Sequence, residues 1–171
     1  MTEKIPVRLI VMGVTGCGKT TVGALLAGRF GAVFLDGDDY HPEANVAKMA
    51  GGTPLTDDDR WPWLDRLGEV VEDAVAREGR VVLACSALRR VYRDRLRAAC
   101  AEPPLFVHLS GSRDLIHGRM AARREHYMPV ALLDSQIRAL EPIQNDEHAV
   151  VIQVDVPADQ IVTRVLAHLQ S

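Results

Sequence analysis

The sequence contains few cysteines, and it has neither a long apolar run nor an apolar start, so several classes of protein are excluded. The three cysteines, Cys17, Cys85 and Cys100, are an odd number without metal-ligand spacing, so we expect free thiols rather than a disulfide framework. Apolar runs such as 81–85 are far shorter than the roughly 20 residues that span a bilayer. Residues 1–6 are polar and lack the apolar region of a signal peptide. We therefore expect a cytoplasmic protein without a membrane partner.

Positive charge is not in excess either. The 171 residues include 20 Lys and Arg against 23 Asp and Glu, a formal net charge of -3, and the basic residues are spread among the acidic ones. The concentrated positive face that nucleic-acid binding requires is therefore not expected. The hydrophobic share of 47% is typical of a globular protein. A chain of this length fits one domain, 1–171, with one core that buries roughly 70% of the unfolded surface.

What the sequence does contain is a regular alternation of two kinds of segment. Short runs rich in Val, Ile and Leu lie at 7–12, 32–35, 80–85, 105–109 and 150–154. Their nearly continuous apolarity predicts strands that are covered on both faces. Longer segments of helical period lie at 19–30, 63–78, 87–99, 112–122, 130–140 and 158–170. Strands alternating with helices predict an α/β fold in which a parallel sheet lies between two helical layers.

The carboxyl ends of parallel strands form the ligand crevice of such a fold, so we expect the chemistry at that edge. Two polar segments are expected to be mobile. One is 50–62, which contains two consecutive glycines and three consecutive aspartates, and the other is 123–129, which ends at a proline.

A glycine-rich segment follows the first predicted strand. Its residues are Gly13, Val14, Thr15, Gly16, Cys17, Gly18, Lys19 and Thr20. Two glycines separated by four residues and followed by Lys and Thr are typical of a loop whose N–H groups cradle phosphates, helped by the positive end of the next helix. Lys19 should reach the β- and γ-phosphates, and Thr20 should hold Mg²⁺. We include Thr21 among the nucleotide-binding residues. The pattern predicts ATP binding, but it does not by itself predict a kinase.

Charged residues cluster at the ends of the other predicted strands. Asp36 and Asp38 follow the second strand, where one carboxylate can orient or deprotonate a hydroxyl and another can hold Mg²⁺. Guanidinium groups match carboxylate and phosphate geometry, and they also occur on solvated helix faces, so both interpretations stay open for each arginine of the loops. Those arginines are Arg60, Arg89, Arg90, Arg119, Arg123 and Arg124. His41, just before Pro42, is either a surface or capping residue or part of a pocket.

These residues resemble the gluconokinase family, which is related to shikimate and nucleoside monophosphate kinases. The resemblance runs from the first strand to the last helix. Its most distinctive parts are Asp57-Asp58-Asp59-Arg60 and Cys85-Ser86-Ala87-Leu88. Further matches are Leu35-Asp36-Gly37-Asp38, His41-Pro42, Asn45, Lys48-Met49, Pro54-Leu55-Thr56, Pro62-Trp63-Leu64, Arg89-Arg90, Tyr92-Arg93, His126-Tyr127-Met128-Pro129, Leu132-Leu133, Ser135-Gln136 and Leu140-Glu141-Pro142.

The resemblance implies a P-loop kinase fold, a three-layer sandwich with a five-stranded parallel sheet and a mobile lid at about 119–130. It implies transfer of the γ-phosphoryl group of ATP to the C6 hydroxyl of D-gluconate, with Mg²⁺, in a protein that is frequently a homodimer. By position it implies Lys19, Asp36 and Arg123 as catalytic residues, Arg119 against the nucleotide, and Asp36 beside Thr20 at the metal. The residues that it implies for the acceptor are Asp36, Asp38, His41, Arg60, Arg89 and Gln136.

Two points of the sequence leave alternatives open. The family has a glycine before the lid histidine where this chain has Glu125, which affects the expected lid conformation but not the chemistry. A kinase for another small acceptor, such as shikimate or a nucleoside monophosphate, is the nearer alternative function. A nucleotide-driven switch that phosphorylates nothing is the more distant one, and the aspartates and arginines count against it.

Overall fold

The computed structural model describes residues 5–122 and 130–171, which include a five-stranded parallel sheet. The strands are β1 (Arg8–Met12), β2 (Val33–Asp36), β3 (Val81–Ala84), β4 (Leu105–Ser110) and β5 (Ala149–Gln153). They lie in the order β2-β3-β1-β4-β5, and every neighbouring pair is parallel. The sheet that the sequence predicted is confirmed, and β1 lies at its centre.

Helices connect the strands and cover both faces of the sheet. They are α1 (Lys19–Phe30), α2 (Glu43–Ala50), α3 (Asp57–Glu78), α4 (Arg90–Ala99), α5 (Arg113–Ala122), α6 (Val130–Ala139) and α7 (Ala158–Gln170), with a 3-10 helix at Gly37–Tyr40. The bounds of α1 and α7 are those predicted, and α5 and α6 each differ by one residue. The helix that was predicted to begin at residue 87 begins at residue 90, because residues 85–89 form a loop.

Helix α3 begins at Asp57, within the segment 50–62 that the sequence analysis took to be mobile. A capping box explains the early start: the Thr56 hydroxyl accepts from the Asp59 N–H at 3.2 Å, and the Asp59 carboxylate accepts from the Thr56 N–H at 2.9 Å. Three aspartates in the first turn also suit the positive end of the helix. Residues 57–62 are therefore helical, and the mobility of the segment stays a prediction. The other segment predicted to be mobile, 123–129, lies outside the described residues.

The sheet divides the interior of this domain into two apolar clusters, one on each face. Side chains of a strand alternate between the two faces, so Leu9 and Val11 of β1 pack with α1 and α7. Ile10 and Met12 of the same strand pack with α3 and α4. The central strands are buried on both faces, as predicted. The edge strand β2 is only half-buried and β5 is partly exposed, because each has a neighbouring strand on one side only.

The cysteines and the apolarity of the helices were the subject of two further expectations. Cys17, Cys85 and Cys100 are free thiols, and burial raises the pKa of Cys85 to about 12. Among the helices of 5–122 and 130–171, none combines the length and the apolarity that a membrane crossing requires.

Candidate active site

The segment between β1 and α1 has the backbone of a phosphate-binding loop. Gly13 and Gly16 have φ angles of 146° and 79°, which residues with a Cβ rarely adopt. A Cβ on Gly13 would also lie 2.8 Å from Leu109 O. Helix α1 begins without a side-chain cap at Gly18 and without an acidic residue in its first turn. Its first N–H groups therefore remain available to an anion.

Lys19 lies over this loop. Its Nζ donates to Gly13 O and to Val14 O, both at 3.0 Å. The side chains of Val14 and Cys17 point into the apolar cluster and are buried. Two of the predicted nucleotide-binding residues, Val14 and Cys17, therefore anchor the loop through their side chains.

Asp36 reaches the same loop from the end of β2. Its Oδ2 accepts from the Thr20 hydroxyl at 3.3 Å, and its Oδ1 accepts from the Asp38 N–H at 3.0 Å. The second bond caps the 3-10 helix and fixes the direction of the Asp36 side chain. The structure thus brings together the two residues that the sequence predicted as metal ligands.

The loop after β3 also meets the phosphate loop. Gly13 N–H donates to Ser86 O at 3.2 Å, which joins the carboxyl ends of β1 and β3. The chain then continues to Arg89, the residue before α4. The edge of the sheet that was expected to carry the chemistry is therefore formed by the ends of β1, β2 and β3.

Arg60 and Arg89, which the sequence predicted for an anionic acceptor, lie around one carboxylate. Arg89 Nη1 donates to Asp57 Oδ2 at 2.7 Å, and Arg60 Nη1 lies 4.0 Å from Asp57 Oδ1. Tyr92 donates its hydroxyl hydrogen to Asp57 and accepts from Arg60 Nη1 at 3.1 Å. The hydrogen bond from Tyr92, followed by the one from Arg89, holds the pKa of Asp57 below its usual value. The roles of Asp57 and Tyr92 were missed.

Arg93, which has no exposed surface, supports the loop that carries Arg89. Arg93 donates to Ala87 O at 3.0 Å and to Glu141 O at 3.1 Å, and it binds the Glu147 carboxylate through Nε at 2.7 Å. Ala87 has a φ of 45°, an unfavourable conformation for a residue with a Cβ that costs about 1–3 kcal/mol. The buried network stabilises that conformation and so fixes where Arg89 leaves the backbone.

Glu147 is expected to make stability depend on acidic pH. Burial works to raise its pKa, but hydrogen bonds from Arg93, from the Gln144 N–H and from Arg97 outweigh burial and lower the pKa to about 2. A carboxyl group with a depressed folded-state pKa contributes stability above its ordinary value of 4.5, and this contribution is lost as pH falls toward 2. Glu147→Gln should therefore lower the free energy of unfolding at pH 7 by about 3–5 kcal/mol, with a smaller gap at pH 3.

Urea unfolding at the two pH values measures this difference. Glu69→Gln is the matched control, because Glu69 pairs with Arg66 at the surface and should contribute little. An equal gap at pH 7 and pH 3 for Glu147→Gln would contradict the ionic role of this carboxylate.

A cavity of about 210 Å³ lies beside the phosphate loop, on the side of β5. Gly16, Thr21 and Arg119 line it together with Pro157 and Ile161 at the start of α7. Arg119 Nη2 donates to Val156 O at 3.2 Å, which closes one wall. The sequence predicted Thr21 and Arg119 for the nucleotide but missed the segment after β5, although its position at a strand end was a usable signal.

Gln136, which was predicted for the acceptor, contacts the phosphate loop and not the cluster around Asp57. Its Oε1 accepts from the Thr15 N–H at 2.6 Å. Arg123 lies outside the described residues, as does most of the predicted lid, 119–130. His41 and Asp38 lie near each other, with Nε2 of His41 3.9 Å from Asp38 Oδ1.

Known proteins resemble this chain in sequence and in fold. The family model described as "AAA domain" matches residues 9–143. A probable gluconokinase of Rattus norvegicus is 45% identical over an alignment that covers 96% of this chain and 98% of that protein. A gluconokinase of Gluconobacter oxydans (strain 621H) is 42% identical over 166 residues, which cover 97% of this chain and 93% of that protein. The crystal structure of a gluconokinase from Sinorhizobium meliloti 1021 matches with a TM-score of 0.87 at 44% identity. The match covers 96% of this chain and 92% of that one.

The central β1, the glycine-rich loop that follows it and the acidic end of β2 define a kinase of the P-loop class. Identity above 40% over nearly the whole of both chains narrows the class further. The chain belongs to the gluconokinase family. The resemblance drawn from the sequence is thereby confirmed.

Proposed function

We propose that this chain is a gluconokinase, which transfers the γ-phosphoryl group of ATP to the C6 hydroxyl of D-gluconate to give 6-phospho-D-gluconate and ADP. One observation carries the proposal: a phosphate-binding loop and a pair of arginines, Arg60 and Arg89, lie on the same edge of the sheet, where Asp36 contacts the loop. The relatives named gluconokinase support the choice of acceptor.

On the nucleotide side, the loop N–H groups bind the phosphates of ATP and the cavity beside Arg119 takes the base. Lys19 needs only side-chain rotation to leave the carbonyl oxygens of Gly13 and Val14 and reach the β- and γ-phosphates. The Thr15 N–H becomes available when Gln136 moves away. The predicted lid residue Arg123 stays part of this proposal on the strength of the family resemblance.

Phosphoryl transfer joins the C6 oxygen of the acceptor to the γ-phosphorus. The bond between that phosphorus and the β–γ bridging oxygen breaks at the same time, and the bridging oxygen leaves with ADP. The hydroxyl proton passes to a carboxylate at the end of β2, Asp36 or Asp38. Little covalent work is required of the protein, so its contribution is positioning and charge stabilisation.

Thr20 and Asp36 are the proposed ligands of Mg²⁺. A hydroxyl oxygen and a carboxylate oxygen 3.3 Å apart beside the phosphate loop fit this ion, which prefers oxygen ligands and usually keeps water and phosphate as further ligands. When bound, the ion would neutralise charge on the β- and γ-phosphates.

The acceptor carboxylate is proposed to bind at Arg60 and Arg89. We expect Arg60→Ala to raise the KM for gluconate by about 10- to 100-fold, since a charged hydrogen bond contributes about 1.5–3 kcal/mol. The KM for ATP should change much less. Steady-state kinetics with each substrate varied in turn measures both constants. Arg66→Ala is the matched control, because Arg66 lies on the same helix and pairs with Glu69 at the surface. A larger effect on ATP would remove Arg60 from the acceptor site.

An acceptor panel tests the function itself. Purified protein with Mg²⁺ and ATP is given gluconate, shikimate, a nucleoside monophosphate or water alone, and ADP release is measured in a coupled assay. We expect stimulation by gluconate only, with 6-phosphogluconate as product. Stimulation by another acceptor would assign a different kinase, and no stimulation by any acceptor would favour a nucleotide-driven switch.

The family resemblance also leads us to propose a homodimer, a cytoplasmic location and a lid over about 119–130. Light scattering of the purified protein should give twice the mass of one chain. A mass equal to one chain would contradict the dimer.

A further inference from the structure

The ring of His41 is held in a fixed plane. Only 4% of its side chain is exposed, and it stacks on Trp63 with the ring centres 4.1 Å apart and an angle of 16° between the planes. Trp63 is itself fixed, because its Nε1 donates to Gly37 O at 2.8 Å. Stacking and burial therefore restrict the imidazole to this plane, and whether its outward nitrogen donates or accepts depends on which nitrogen carries the hydrogen.

Asn45 decides that question. It is 3% exposed, and its Nδ2 donates to Asp59 O at 2.9 Å. A carbonyl oxygen only accepts, so this bond fixes which end of the Asn45 amide is the NH₂ group. The same Nδ2 lies 3.3 Å from His41 Nδ1. Because an amide nitrogen donates and does not accept, Nδ1 must be the acceptor, and the neutral ring carries its hydrogen on Nε2.

The surroundings keep the ring neutral. Burial, and then the charge of Arg60, lower the pKa of His41 to about 4. Among the charged groups of the adjoining elements, Asp38 on the 3-10 helix lies 3.9 Å from the ring, and Lys48 and Asp59 pair with each other at 2.7 Å. At neutral pH one N–H therefore remains on the ring.

That N–H faces an acceptor-site carboxylate. Nε2 of His41 lies 3.9 Å from Asp38 Oδ1, and the Asp38 side chain is 85% exposed. Because this side chain is exposed, we expect it to be free to rotate toward the ring and accept a hydrogen bond from Nε2–H. In the opposite tautomer, a ring lone pair would face the carboxylate and repel it.

We propose that Asn45 is a positioning residue that acts through His41: it sets the Nε2–H tautomer, and the ring then holds the Asp38 carboxylate in the direction of the acceptor hydroxyl. This inference rests on the proposed function for the role of Asp38. The tautomer itself does not depend on that function, so the two can fail separately.

The tautomer is measured by long-range ¹H–¹⁵N correlation spectra of the full-length protein at pH 7. His41 is assigned through its backbone resonances, so no variant is required. We expect Nδ1 in the unprotonated range and Nε2 in the protonated range. In Asn45→Asp, the new carboxylate should draw the hydrogen to Nδ1, whereas His108, a second buried histidine, should keep its signals. A hydrogen on Nδ1 of His41 in the unmodified protein would overturn the inference.

Steady-state kinetics of His41→Phe and His41→Gln distinguishes the effect of the hydrogen bond from the effect of packing. His41→Phe keeps a ring against Trp63 but has no donor, and His41→Gln keeps an N–H donor of similar reach. We expect His41→Phe and Asn45→Asp to lower kcat by about 10- to 100-fold with little change in the KM for ATP, and His41→Gln to recover part of the loss. His168→Gln, on the exposed side of α7, is the control.

The outcomes distinguish the two proposals. An unchanged kcat in His41→Phe, or no advantage of Gln over Phe, would overturn the positioning role. A protein with the Nδ1–H tautomer that phosphorylates gluconate would overturn this inference and leave the proposed function standing. A protein with the expected tautomer that phosphorylates no acceptor would overturn the proposed function and, with it, the role assigned to Asp38.

Discussion

Lys19→Met is expected to lower kcat/KM for gluconate phosphorylation by about 10²- to 10³-fold, the effect of removing one preorganised charge-stabilising donor. Methionine keeps a flexible apolar stem and removes only the ammonium group. In the described structure this group donates to two carbonyl oxygens of the loop, Gly13 O and Val14 O. Both are backbone groups of a loop that its glycines and the buried Cys17 already shape, so the fold should survive.

Coupled ADP release measures the rate, and thermal unfolding checks the fold. Titration with ADP adds a second reading, because the loop N–H groups remain and should still bind the diphosphate. Loss of turnover with unchanged ADP binding would show that Lys19 acts on phosphoryl transfer and not on nucleotide binding. A near-normal rate would remove Lys19 from the chemistry.

Asp36→Asn is expected to lower kcat by about 10²- to 10⁴-fold, because the position is proposed both for the metal and for the acceptor proton. The substitution keeps a side-chain oxygen that can accept from the Asp38 N–H, the bond of 3.0 Å that caps the 3-10 helix. The fold of that segment should therefore be retained. Asp39→Asn is the matched control, since Asp39 is an exposed neighbour without a proposed role.

The dependence on Mg²⁺ concentration separates the two roles of Asp36. If the lost rate returns as Mg²⁺ is raised, Asp36 acts mainly on the metal. If it does not return, the carboxylate acts on the acceptor hydroxyl. A variant as active as Asp39→Asn would contradict both roles.

The phosphate loop was predictable because its function depends on local backbone geometry. Gly13 and Gly18 stand at fixed positions relative to Lys19, and a strand and a helix flank them in the sequence itself. The order of elements was predictable for the same reason, since apolar runs and helical periods are local patterns. The early start of α3 was also visible in Thr56 and Asp59, whose spacing is typical of a capping box.

The acceptor side was only partly predictable, because it depends on contacts between distant residues. Arginines at 60 and 89 indicated an anion site, but nothing local indicated that Asp57 would bind Arg89 and Tyr92, which lie 32 and 35 residues further along the chain. Gln136 was placed with the acceptor by resemblance, whereas in the structure it contacts Thr15, which lies 121 positions earlier in the chain. Such pairings follow from the packing of helices, which sequence spacing does not reveal.

The order of the strands has a consequence for how this protein could be re-engineered. Residues 36–93, one continuous stretch, supply Asp36, His41, Arg60 and Arg89, while the cavity beside β5 takes Arg119 and Pro157 from the second half of the chain. If the proposed sites are right, a chimera that exchanges this stretch with that of a relative should take its acceptor preference from the relative and keep the nucleotide preference of the host.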